Sequence, residues 1–190
     1  MSDMRIGVLA LQGAFREHRE MLRRIGVESF EVRQCSDWVG HKDGLILPGG
    51  ESTTQARLLH DSGLFELLRN DIMQGLPVFG TCAGMILLSS LHLATMPIDV
   101  LRNAYGRQLG SFHTVSDMDE VGRNVPMTFI RAPYISGVSS EDCIPLASVD
   151  GHVVAARQGR QLVTSFHPEL DNDSRVHEYF IGLCRDTNRP

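Results

Sequence analysis

Leu76-Pro77-Val78-Phe79-Gly80-Thr81-Cys82-Ala83-Gly84-Met85-Ile86-Leu87-Leu88 decides how this chain is read. Leu76 to Phe79 is a short apolar run of the kind that makes a buried strand, and Met85 to Leu88 is a run of helix formers. Between them stands Gly-x-Cys-x-Gly, the cysteine form of a strand–turn–helix nucleophile elbow. Such a turn is sharp, its central residue is strained, and side chains at the flanking positions would clash. Cys82 then projects from a strand end at the start of a helix, where the helix dipole favours the thiolate. A cysteine on an apolar segment can equally be buried and inert. The two glycines and the switch from strand to helix favour the reactive reading here.

Working outward, Ile6 to Leu11 is an apolar run typical of a central parallel strand, and Gln12-Gly13 turns the chain. Phe15 to Ile25 reads as a helix with Phe15, Met21, Leu22 and Ile25 apolar, ended by Gly26. Val27 to Val32 alternates weakly as a second strand, and Gly44 to Leu47 is a third, short and buried. That order predicts an α/β domain: a mostly parallel central sheet, helices on both faces and right-handed crossovers. Pro48-Gly49-Gly50-Glu51-Ser52-Thr53-Thr54 follows the third strand, with Ser52 or Thr53 placed to cap a helix running through Leu59. Loops at the carboxyl ends of strands are where open α/β sheets hold ligands, and exposed N–H groups here can stabilise an oxyanion. A phosphate cradle is the weaker alternative, because the Walker lysine is missing, and a plain strand-to-helix turn stays open.

Leu64 to Met73 reads as another helix, whereas Leu91 to Pro97 says little. Val100 to Gln108 is rich in donors (Arg102, Asn103, Arg107, Gln108) that can hold a carboxylate or can simply be solvated. Ser116 to Asn124 reads as an exposed connection, Met127 to Ile130 as a strand, and Arg131 to Tyr134 as a turn. Cys143 to Val149 and His152 to Gln158 read as a strand pair about the turn Asp150-Gly151. Leu162 to Phe166 is one more strand, and Ser174 to Cys184 a closing helix with Val176, Tyr179, Phe180 and Leu183 apolar.

The whole composition is compatible with one domain spanning 1–190. The chain is 42% hydrophobic and 22% charged, ordinary values for a soluble protein with a sizeable core. A net charge of -5 argues against a nucleic-acid partner. No apolar run is long enough to span a bilayer, and the first residues lack the layout of a signal peptide. Cys35, Cys82, Cys143 and Cys184 are scattered with no metal-binding spacing, which fits a cytoplasmic protein with free thiols.

A thiol nucleophile needs a base and a group that orients the base. His167 follows the strand Leu162 to Phe166 directly, and Glu169 lies two residues on, so both reach the sheet edge expected for Cys82. His18, His41, His60 and His177 sit on polar or helical stretches and read as ordinary surface residues. Together the segments suggest acyl transfer through a thioester, with the N–H groups of Gly50 and Ala83 as the oxyanion hole.

The order of elbow cysteine, then His-x-Glu, with a glycine-rich oxyanion loop upstream, resembles the class I (triad) glutamine amidotransferases. Within them the chain is most similar to the glutaminase subunits of pyridoxal 5'-phosphate synthase. The resemblance is carried by Gly7 to Gly13, Leu45 to Thr54, Gly80 to Leu87, Arg102-Asn103 with Gly106-Arg107-Gln108, Phe129 to Pro133 and Phe166 to Leu170, spread over nearly the whole chain. Ala83 stands where other members usually carry leucine. The segment Ser90 to Val100 is short, and His113 stands where an acidic residue is usual. The resemblance implies hydrolysis of L-glutamine to glutamate and ammonia by Cys82, His167 and Glu169. It implies glutamine contacts at Gly50, Glu51, Ser52, Arg102, Ile130 and Arg131, with no bound cofactor or metal. It also implies a partner, the synthase subunit that builds pyridoxal 5'-phosphate from a pentose phosphate and a triose phosphate. The rival expectations are an amidotransferase subunit of another pathway, a silent regulatory subunit, or a cysteine hydrolase or chaperone-like protein of similar topology.

Overall fold

The computed structural model describes residues 4–102 and 111–186. Its centre is built from the continuous apolar runs. β1 (Arg5–Leu9), β2 (Glu28–Val32), β3 (Gly44–Leu47), β4 (Val78–Thr81) and β11 (Gln161–Thr164) lie side by side in the order β2-β1-β3-β4-β11, each pair parallel. An antiparallel wing extends the sheet beyond β11 through β10 (His152–Gln158), β8 (Tyr134–Val138) and β5 (Ile98–Leu101), and β9 (Cys143–Val149) pairs with β10. β6 (Ser111–Met118) and β7 (Gly122–Ile130) form a separate antiparallel hairpin.

Strand alternation then sorts side chains into two cores. Ile6, Val8, Ile46, Phe79 and Leu162 face one way, onto α1 (Phe15–Arg24), α5 (Arg175–Arg185) and the hairpin. Leu45, Leu47, Val78 and Val163 face the other way, onto α2 (Ser52–Asp61), α3 (Leu64–Met73) and α4 (Ala83–Leu88). The result is an α/β fold with a parallel centre and helices on both faces. No helix among the described residues is long and apolar enough to cross a membrane.

Four readings change. Ser116 to Asn124 is the end of a hairpin rather than a loose connection, with Asn124 N–H donating to Asp117 Oδ1 at 2.9 Å. The turn read over Arg131 to Tyr134 gives way at Tyr134 to β8, and the helix expected to be capped by Ser52 or Thr53 begins at Ser52 with Glu51 at its N-cap and no side-chain cap hydrogen bond. His18 and His177 are fully buried, not on the surface. His18 lies three residues after Phe15 and four before Leu22, on the apolar stripe of α1, and His177 shares the inner face of α5 with Phe180 and Ile181. His41 and His60 are exposed as expected. Asn103, Gly106, Arg107 and Gln108 lie outside the described residues.

Candidate active site

The elbow has the geometry its glycines predict. Cys82 sits between β4 and α4 at φ 49, ψ −101, a conformation side chains rarely adopt. A Cβ on Gly84 would lie 1.9 Å from the Leu47 carbonyl oxygen, and one on Gly80 would lie 2.7 Å from the Gly84 backbone. No other residue fits at either place without moving β3 against α4. The Cys82 N–H donates to the Thr164 carbonyl at 2.7 Å, which ties the elbow to the end of β11.

β11 delivers the second group. His167 leaves the strand with its N–H donating to the Thr128 carbonyl at 2.8 Å, so the hairpin also fixes its place. Its Nδ1–H donates to Glu169 Oε1 at 2.7 Å, leaving Nε2 for Cys82. Pro168 opens a short 3-10 turn, Pro168–Leu170, that brings the carboxylate back beneath the ring. Cys82, His167 and Glu169 are all nearly buried. Burial works against a charge on His167. The hydrogen bonds with Cys82 and Glu169, with their Coulomb attraction, overcome it and push the imidazole up to about 10. Burial pushes Glu169 above the usual carboxylate range, and the imidazole pulls the other way.

The glycine-rich loop after β3 is tightly anchored. Gly49 N–H donates to Thr81 Oγ1 at 3.0 Å, and its carbonyl accepts from Ala14 N–H at 3.0 Å. Glu51 N–H donates to Gln12 Oε1 at 2.9 Å, and Gln55 Nε2 donates to the carbonyls of Gln12 and Pro48. The ring of His167 lies against Gly49, where a Cβ would come within 2.3 Å of Cε1. A trans peptide points its N–H opposite its carbonyl, so the Gly50 N–H is directed away from Ala14.

These loops enclose a cleft of about 470 Å³ with Cys82 and His167 lining it together with Gly50, Glu51, Ser52, Arg102, Ile130 and Arg131. Every expected glutamine-contacting residue therefore borders one space. Arg102 donates to Ser52 Oγ at 2.7 Å and Thr53 Oγ1 at 3.3 Å, and Arg131 donates to Glu51 Oε1 at 3.3 Å. Two cations and a carboxylate thus stand at the mouth, and a buried thiol–imidazole pair at the floor. His113 does not line the cleft; its Nε2 lies 3.4 Å from Asp171 Oδ1. Among the described residues no cluster of His, Cys, Asp or Glu is arranged to hold a metal ion.

Sequence reasoning passed over Gln12, Gln55 and Thr81, which hold the loop. For Gln12 a signal existed. Gly13 adopts φ 101, and a Cβ there would lie 1.9 Å from the Gly49 carbonyl oxygen, so Gln12-Gly13 is a docking point for the loop rather than a bare turn.

Comparison with known proteins gives one answer. Residues 8–186 match the model of the SNO glutamine amidotransferase family. The chain is 58% identical to a protein named pyridoxal 5'-phosphate synthase subunit PdxT from Methanocorpusculum labreanum, over 97% of this chain and 100% of that one. It is 53% identical to a protein of the same name from Streptococcus pneumoniae, over 96% and 98%. A crystal structure described as a glutamine amidotransferase superposes with a TM-score of 0.88 at 41% identity, covering 94% of this chain and 98% of that one.

Proposed function

Since the chain belongs to the SNO glutamine amidotransferase family, we propose that it hydrolyses L-glutamine and passes the ammonia to the synthase subunit of a pyridoxal 5'-phosphate synthase. What supports this most directly is the Cys82–His167–Glu169 array on the floor of a cleft edged by Arg102, Arg131 and Glu51. The relatives at 58% and 53% identity, both named as subunits of that synthase, support the partner.

The chemistry follows from the charges. A guanidinium at the mouth takes the α-carboxylate of glutamine, and Glu51 takes the α-ammonium. The carboxamide then reaches the floor, where the Cys82 thiolate attacks its carbon. The N–H groups of Gly50 and Ala83 receive the negative charge that grows on the oxygen. His167, held protonated, gives its proton to the departing nitrogen, and ammonia leaves behind a thioester. A water attacks the thioester as His167 takes one of its protons, the Cys82 thiolate leaves, and glutamate departs with its γ-carboxyl proton lost to solvent, which restores the thiolate–imidazolium pair. Glu169 keeps His167 in the tautomer that serves both steps. We place the protein in the cytoplasm, which the four unpaired cysteines favour.

The test is release of glutamate and ammonia in equal amounts by the chain with its synthase subunit, and capture of a glutamyl mass on Cys82 after rapid quenching. Cys82→Ala should give neither. Undiminished turnover by Cys82→Ala would remove the cysteine from the mechanism, and absence of turnover in the wild-type complex would favour a silent regulatory subunit.

A further inference from the structure

The acid of the array has two carboxylate oxygens, and only Oε1 meets His167. Oε2 is sealed from solvent and makes no hydrogen bond, yet the ring of His18 faces it, with Nε2 at 3.4 Å. That ring belongs to a buried polar chain. His18 Nε2 also lies 3.1 Å from Thr81 Oγ1, the atom that accepts the Gly49 N–H, and its Nδ1 lies 2.9 Å from His177 Nε2. Both rings are fully buried, and His177 Nδ1 has no partner.

Burial holds both rings neutral. It brings His177 down to about 3 and His18 well below its usual value, with His177 and His167 adding to the effect on His18. The contact with Glu169 is therefore no ion pair. Two proton arrangements are open. In the first, His177 Nε2–H donates to His18 Nδ1, and His18 Nε2–H donates to Thr81 Oγ1 with Glu169 Oε2 alongside at 3.4 Å. In the second the protons are reversed. His18 Nε2 then accepts from the Thr81 hydroxyl with its lone pair beside the carboxylate, and His177 buries an N–H with no acceptor. A lone pair facing a carboxylate in a dry site is repulsive, and an orphaned buried N–H is rarer than an unused acceptor. The first arrangement is the favoured one.

We propose that His18 is a positioning residue for the glutaminase site: its Nε2–H steadies the second oxygen of Glu169 and, through Thr81, the Gly49 end of the oxyanion loop, while His177 fixes its tautomer. This rests on the function proposed above. Without that N–H the buried oxygen loses the positive end of the dipole beside it, and the carboxylate is less well held as an anion facing His167. Neither His18 nor Thr81 lines the cleft, so the loss falls on the chemical steps rather than on glutamine binding.

Nitrogen-15 NMR of the isolated wild-type chain reads the tautomer directly. A neutral Nε2–H form of His18 is expected; an Nδ1–H form or an imidazolium overturns the proposal. Kinetics with the synthase subunit supplies a second arm. His18→Gln sets an amide nitrogen near the Nε2 position, and His18→Asn sets one near Nδ1. Asn should lower kcat about tenfold at steady KM, whereas Gln should stay within about threefold of the wild type. Equal losses in both, retention by Asn, or a loss carried by KM overturns the proposal. Should neither variant fold, the tautomer decides alone. A wild-type complex that releases no ammonia from glutamine would instead fail the functional reading, whatever the tautomer.

Discussion

The parallel centre of the sheet and its antiparallel wing contribute to the same cleft in different ways. β3, β4 and β11 end in the glycine-rich loop, Cys82 and His167, and the last two side chains are nearly buried. β5 of the wing and β7 of the separate hairpin end in Arg102, Ile130 and Arg131, which are exposed. The centre is packed on both faces, so its strand ends hold atoms to within the tolerance that bond-making needs. The antiparallel ends stand open to solvent, where an arriving substrate would meet them first. On the function proposed above, rate is expected to depend most on the centre, and affinity on the antiparallel ends together with Glu51.

That division can be broken by mutation, first where the effect is largest. Glu169→Gln keeps shape but loses charge, and kcat should fall about a hundredfold while KM holds, because His167 is then less firmly held protonated beside the thiolate and less of the reactive pair is present. Steady-state kinetics with glutamine decides it. A steep rise in KM at constant kcat would make Glu169 a substrate ligand and move affinity into the centre. Arg102→Ala should do the reverse and raise KM for glutamine about tenfold with kcat nearly kept. An equal loss in kcat would show that the wing also aligns the carboxamide.

The smallest effect concerns stability. His177 is lowered to about 3 in the fold but titrates near 6.5 when unfolded. Between those values the unfolded chain binds a proton that the native one refuses, so this histidine costs stability as pH falls. His177→Phe, whose ring would replace one already edge-on to Phe79, should lose less stability than the wild type on going from pH 6.5 to 5.5, by about 1 kcal/mol. Denaturant melts at the two pH values measure the difference. The raised value of Glu169 acts in the opposite sense in both proteins and cancels in the comparison. Equal losses would mean that water reaches His177.

The same contrast explains what could be read from the sequence. Strands of the centre are buried on both faces, so Ile6 to Leu9, Gly44 to Leu47 and Leu162 to Thr164 appear as unbroken apolar runs. The hairpin strand Ser-Phe-His-Thr-Val-Ser-Asp-Met is partly exposed and carries no such run, so β6 is invisible in the sequence and Ser116 to Asn124 reads as an exposed connection. Cys82, His167 and Glu169 announced themselves because each adjoins a strand end with its own local pattern. His18 and His177 did not. A histidine on a helix looks solvated until its partner, 159 residues away, is brought to 2.9 Å.

The backbone of Cys82 has a consequence for how such a chain drifts. A glycine at position 82 would accept φ 49 at ease, whereas a cysteine there costs about 1–3 kcal/mol. Mutation pressure toward a sturdier protein therefore points directly at the loss of the nucleophile. On the role proposed for Cys82, selection for ammonia production is what keeps cysteine in that place. A copy released from that duty would be expected to settle into a more stable, inert descendant, and position 82 is where such a history would first be written.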